Sequence, residues 1–219
     1  MQLVQSNLGS IVIFVVLLAG VGIYAVRTLP YVPLFHGSKA GELQRLAEWL
    51  KIGPGSRVAD LGAGDGTFAV ALARAVGPSG HVYAIELDDM RLAKIRRAAN
   101  AAGVANITAV RGAVSSTNLP RERCDALFSR GAYHHLTNAD AINADVFRAL
   151  RRGGRLAILD FEPGGIMDWI GRPETAERHG GHGTPKATVL NEVTAAGFQL
   201  IKGPESWRGR TYGVLFERP

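Results

Sequence analysis

The residues best placed to do chemistry are the run Val58-Ala-Asp-Leu-Gly-Ala-Gly-Asp-Gly66, with Glu86 about 20 residues beyond it. Glycines at 62, 64 and 66 let a backbone turn sharply and come close to a ligand. A helix starting just after them would offer unpaired N–H groups and the positive end of its dipole, which suit a carboxylate or phosphate. A carboxylate at Glu86 can accept hydrogen bonds from both hydroxyls of a ribose. The spacing is G-x-G-x-G and position 67 is Thr, so the loop departs from the G-x-G-x-x-G of dinucleotide enzymes. Asp60 separates the two further. Its charge would repel a pyrophosphate and attract an ammonium, so the residues favour a nucleoside bearing a methionine-like zwitterion over NAD or FAD.

A second group is Tyr133-His134-His135. Histidine titrates near neutral pH and suits a general base. Neighbouring side chains point in different directions, so one of His134 and His135 is expected to face a substrate while the other packs or caps the loop. Asp160 and Glu162 follow a later strand and fall near the same rim. His179 and His182 lie in a glycine-rich stretch from about 163 to 184 that lacks periodicity, a length of connection usually tied to function or mobility. No ligand spacing supports a metal site among these histidines.

Elements alternate around these groups. Strands are predicted at Arg57–Leu61, His81–Glu86, Ile107–Arg111, Asp125–Ser129, Arg155–Asp160, Gln199–Lys202 and Tyr212–Glu217. Helices are predicted at Gly41–Leu50, Gly66–Val76, Asp89–Ala102, Asn138–Leu150 and Pro185–Ala196. Repeated β-α-β units imply an α/β fold: a doubly wound, mostly parallel, Rossmann-like seven-stranded sheet with ligands at the carboxyl ends of its strands.

From about Gly53 to Pro219 the chain resembles class I S-adenosylmethionine-dependent methyltransferases. Val58–Gly66 is similar to their first motif and Glu86 to their ribose-binding acid. Arg130-Gly-Ala-Tyr-His-His-Leu136, Leu150-Arg-Arg-Gly-Gly-Arg-Leu156 and Asp160-Phe-Glu-Pro163 resemble the bacterial small-molecule type. The resemblance implies S-adenosyl-L-methionine as cofactor, held by Asp60, Gly62, Gly64, Asp65, Gly66, Glu86, Leu87, Ala113, Ser129 and Arg130. His134 and His135 are the catalytic candidates read from the residues, no metal is expected, and the motifs do not identify the methyl acceptor: a small molecule or, with the chain anchored by its apolar N-terminal run, a lipid or quinone or a membrane protein. Many relatives carry an Asp after the third strand that binds the adenine amino group. Here that stretch is Gly112-Ala113-Val114, so adenine contacts are expected from backbone near Ala113 or from Ser115. Two other functions stay open on the same residues: a nucleotide-cofactor oxidoreductase, which Asp60 and Thr67 disfavour, and a non-catalytic cofactor-binding protein tethered to a membrane.

The remaining composition bounds the setting. Of 219 residues, 47% are hydrophobic and 20% charged, enough for a substantial core. The net charge of +6 is spread out, and no aromatic residues interleave with the basic groups at Arg91–Arg97 and Arg148–Arg155, so no nucleic-acid partner is expected. The single cysteine, Cys124, excludes an internal disulfide and reads as a small packing residue. The run Leu8–Val26 is almost wholly apolar, and at 1.5 Å per residue it would reach roughly 28 Å, close to a bilayer core. It is expected to be a transmembrane helix within an anchor at 1–30, followed by a linker and leading helix at 31–54 and the catalytic domain at 55–219. Arg27 and Lys39 follow the run, which by the positive-inside rule puts the catalytic domain on the cytoplasmic side of the inner membrane.

Overall fold

The structure, a computed structural model, describes residues 39–163 and 183–219. The chain divides into two units, Met1–Gly41 and Glu42–Pro219. Of the first, only residues 39–41 are described, as the opening of helix α1 (Lys39–Leu50).

The second unit continues with β1 (Arg57–Leu61), α2 (Thr67–Val76), β2 (His81–Glu86), α3 (Asp89–Ala101), β3 (Ile107–Arg111), β4 (Cys124–Arg130), α4 (Ala139–Ala149), β5 (Leu150–Phe161), α5 (Lys186–Ala195), β6 (Gln199–Arg208) and β7 (Thr211–Glu217). The strands form one sheet in the order β3-β2-β1-β4-β5-β7-β6. β1 to β5 are parallel, while β7 runs against both β5 and β6. The strand order reverses between β1 and β4, which is where a doubly wound sheet opens a crevice for ligands.

The strand alternation decides which side chains share a face. Val58, Val82, Ala84, Ala126, Phe128 and Leu159 pack with Leu46, Leu72, Ile95 and Trp207 on one side. Ala59, Ile85, Leu127, Leu156 and Ile158 pack with Ile142, Val146, Val189 and Val193 on the other. Continuing each strand by one step puts Asp60, Glu86 and Arg130 on the α1–α3 face, and Ser129 and Asp160 on the α4–α5 face. The helices match this pattern: α2 buries Ala69, Leu72, Ala73 and Val76 at helical spacing. Fully burying a side chain such as Leu72 contributes about 1.5–3 kcal/mol.

The fold class is corrected in one respect. The transmembrane helix expected at Leu8–Val26 lies outside the described residues, and among those no helix is long and apolar enough to cross a membrane. The longest, α3, has 13 residues and carries an exposed charged face; a span needs about 20 apolar ones. The described fold is a Rossmann-like α/β domain on a mixed seven-stranded sheet. The stretch 164–182, with His179 and His182, also lies outside the described residues.

Candidate active site

The three loop glycines all have positive φ, at 81°, 60° and 83°, yet they serve different ends. A Cβ on Gly62 would overlap that of Ala132, so this glycine lets the loops after β1 and β4 close on each other. A Cβ on Gly66 would sit 3.0 Å from Ile95, so this one lets α3 press against the loop. Gly64 has open space around it. Its N–H donates to Glu86 Oε1 at 2.7 Å, which ties the loop to the end of β2.

Glu86 also receives Arg91 Nη1 at 3.3 Å on Oε1 and its neighbour Leu87 N at 3.3 Å on Oε2. It is buried but lines a cleft of about 600 Å³ together with Gly62, Leu87, Gly112, Ala113, Ala132 and His135. The cleft lies at the carboxyl ends of β1, β2 and β4, where the strand order reverses.

Asp60 sits one residue behind the cleft wall and is 2% exposed. Its Oδ2 has no hydrogen-bond partner among the described residues. Burial pushes its carboxyl up to about 7, with Arg130 opposing the rise and Glu86 adding to it. A buried acceptor without a donor costs about 1–3 kcal/mol, which a bound ammonium would recover. The open Gly64, the ribose-type carboxylate of Glu86 and the orphaned Asp60 oxygen therefore fit S-adenosylmethionine. That cofactor supplies a methyl already activated by a positive sulfur. The protein's part is to orient the acceptor, exclude water and hold any proton the acceptor loses.

The other expected cofactor residues are placed as follows. Ala113 forms a turn with Ser116 that lines the cleft, its N–H donating to Ser116 O at 2.7 Å. Leu87 is exposed at the rim. Asp65 is exposed, and its Oδ1 accepts from Thr67 N at 2.9 Å, at the start of α2. Ser129 is fully buried on the opposite face from Asp60, with Oγ unpartnered among the described residues. Arg130 donates from Nε and Nη2 to Glu42 of α1 at 2.8 and 3.0 Å, and its guanidinium lies 4.5 Å from the ring of Phe68 in the first turn of α2.

The histidines occupy a 3₁₀ turn, Tyr133–His135. Tyr133 anchors the turn from within: it is fully buried, donates to Glu192 at 2.9 Å and accepts from Asn143 at 2.7 Å. Burial raises its phenol above the usual range despite the Asn143 hydrogen bond. His134 is buried, with Nδ1 2.7 Å from Asp160 Oδ1. Asp160 is completely buried and also accepts from His134 N at 2.9 Å, Phe161 N at 2.8 Å and Thr184 Oγ1 at 3.1 Å. With the carboxylate held so firmly, the His134 ring is fixed, and a proton shared with Asp160 on Nδ1 would leave Nε2 as the basic atom. His135 is exposed and lines the cleft; its ring lies 4.0 Å from that of His134 at 50°.

Two residues that sequence reasoning missed shape the site. Glu42 holds Arg130, and Asp145 of α4 braces the turn at Ala113–Ser116. Asp145 accepts from Thr117 N at 2.7 Å, Thr117 Oγ1 at 2.5 Å and Ser116 Oγ at 3.4 Å. Neither lies near a recognisable motif, and each acts through contacts across the fold.

Residues 58–154 match the methyltransferase-domain family. The chain is 32% identical over 108 residues to the ubiquinone/menaquinone biosynthesis C-methyltransferase UbiE of Pasteurella multocida, covering 49% of this chain and 40% of that protein. It is 33% identical over 108 residues to the UbiE of Pseudomonas putida, covering 49% and 42%. The match thus spans about two fifths of the length of these curated relatives. Among solved structures, a SAM-dependent methyltransferase from Aquifex aeolicus superposes with a TM-score of 0.68 at 20% identity, covering 80% of this chain and 88% of that one. An S-adenosylmethionine-dependent methyltransferase from Mesorhizobium loti gives 0.63 at 21%, covering 82% and 99%. Residues 58–154 thus match a methyltransferase domain, and the fold is the one these S-adenosylmethionine-dependent methyltransferases share.

Proposed function

We propose that this chain transfers the methyl group of S-adenosylmethionine to a small, ring-bearing acceptor that gives up a proton, such as a phenol or hydroquinone. The observation that carries this reading is the pairing of His134 with Asp160 beside His135, at the edge of the cleft that Glu86 and Gly62 line. A histidine fixed by a buried carboxylate is suited to take a proton from an acceptor as the methyl arrives. Phe161 supports a planar acceptor: it is 40% exposed and meets His134 edge-on at 5.9 Å. The UbiE relatives are named as quinone-pathway C-methyltransferases, which favours the same acceptor class. An oxidoreductase reading is disfavoured because a pyrophosphate would lie against the buried Asp60.

The test is methyl transfer from a labelled donor to a panel of phenols, hydroquinones, amines and thiols. Incorporation into a phenol or hydroquinone that falls with His134→Ala or His135→Ala supports the reading. Incorporation only into amines or thiols, or turnover unchanged by both variants across about pH 6–9, overturns it.

A further inference from the structure

Arg130 and Glu42 form a pair that the cleft's own residues do not explain. Glu42 is 8% exposed, and its two carboxylate oxygens take a bidentate contact from Arg130 Nε and Nη2. Trp207 Nε1 adds a third donor at 3.2 Å. Burial alone would raise the Glu42 carboxyl, but the hydrogen bonds and charge of Arg130, with Trp207, hold it below its ordinary value. The pair is therefore a fixed ionic contact rather than a loose surface one.

Its position matters because of what lies beside it. Arg130 stacks on Phe68, which opens α2 directly after the glycine loop. Strand alternation places Arg130 on the same sheet face as Asp60, and β1 and β4 are neighbours in register, Asp60 opposite Phe128. The buried Asp60 Oδ2 has no partner among the described residues, while Arg130, itself exposed, gives Nε and Nη2 to Glu42. A guanidinium with Nη1 outside the Glu42 fork and an unpartnered buried carboxylate oxygen, on one sheet face, complement the two charges of an amino acid. Without Glu42, the long Arg130 side chain would be free to turn onto Asp60 and cancel both.

We infer that Glu42 is a positioning residue for the donor, holding Arg130 off Asp60 so that the pair can receive the carboxylate and ammonium of the amino-acid end. The inference rests on the reading of the cleft as a donor site. Glu42 itself touches no part of the nucleoside; it acts through Arg130.

Two nucleosides separate this role from simple structural support. S-adenosylhomocysteine carries the amino-acid end, whereas 5′-methylthioadenosine lacks it and keeps the adenosine. Calorimetric titration of the full chain is expected to show that Glu42→Gln weakens S-adenosylhomocysteine by about tenfold while 5′-methylthioadenosine stays within about twofold. Arg130→Lys, which keeps the charge and loses the fork, is expected to give the same selective loss. It also serves as the reporter if Glu42→Gln does not fold. Equal loss for both nucleosides, or no loss for either, overturns the inference while leaving the donor reading intact. A wild-type chain that binds neither overturns the donor reading and the inference with it.

Discussion

The side chains of His134 and Asp160, 26 positions apart in sequence, meet at 2.7 Å where the loop after β4 crosses the end of β5. Asp160 spends its remaining acceptor capacity on His134 N, Phe161 N and Thr184 Oγ1, so its carboxylate cannot turn away. Asp160→Asn is expected to lower kcat with a protic acceptor by about a hundredfold, because the ring loses its orienting charge. Affinity for S-adenosylhomocysteine should stay within about twofold, since Asp160 lies on the other sheet face from Asp60 and Glu86. Turnover near the wild-type rate would show that His134 is not held for catalysis.

Asp60 makes stability depend on pH in a definite direction. Its carboxyl is pushed up to about 7 in the folded protein by burial, against an ordinary value of 3.8. The folded state therefore binds more protons than the unfolded state between these values. The stabilisation is fully present below about pH 3.8 and is lost as pH rises through about 7. Urea midpoints of the ligand-free protein should fall from about pH 5 to pH 8, and Asp60→Asn should flatten that part of the profile. An unchanged slope in the variant would assign the dependence to other groups.

The loop glycines should respond unequally to alanine. Gly62→Ala meets Ala132 and also a φ of 81°, so it should cost about 2–4 kcal/mol and lower donor affinity. Gly64→Ala has open space and faces only the strain of its φ of 60°, about 1 kcal/mol. Thermal melts of the two variants check the order; a Gly64→Ala chain less stable than Gly62→Ala would contradict it.

Asp145→Ala removes the acceptor that Thr117 N, Thr117 Oγ1 and Ser116 Oγ share. The turn at Ala113–Ser116 should loosen, and affinity for adenosine-containing ligands should drop by about tenfold. 5′-Methylthioadenosine and S-adenosylhomocysteine should weaken alike, in contrast to the selective loss expected at Glu42. A loss confined to one of them would move the role of Asp145 away from the adenine end.

β1, β2 and β3 were legible because they are short, largely apolar and bounded by glycine or asparagine, whereas the mostly exposed β6 runs six residues past its expected end at Lys202. β2 and β3 begin and end where the alternation places them, and α3 ends one residue before its expected close. β5 starts five residues earlier than expected, at Leu150, since a pairing of Cys124 with Leu150 precedes the main ladder across a bulge. No local pattern announces a bulge set by a neighbouring strand. The loop glycines and Glu86 were readable because their chemistry is compressed into one turn and one strand end. Arg130 was expected at the cofactor, but its tie to Glu42 depends on how α1 docks, 88 positions away. Asp145 was passed over for the same reason: it looks like one more exposed helix acid until the turn it braces is seen.

The division of the sheet's two faces has a consequence for how such an enzyme can change. Asp60, Glu86 and Arg130 project toward α1–α3, while Asp160 projects toward α4 and α5 and orients His134 from there. On the reading proposed above, the sheet is a rigid partition with the carboxylates of Asp60 and Glu86 on one side and the carboxylate that orients His134 on the other. Selection for a new acceptor can rework the loop after β5 with little effect on the donor's carboxylates, whereas the turn after β4, where Ala132 packs on Gly62 and lines the cleft, ties the two halves together.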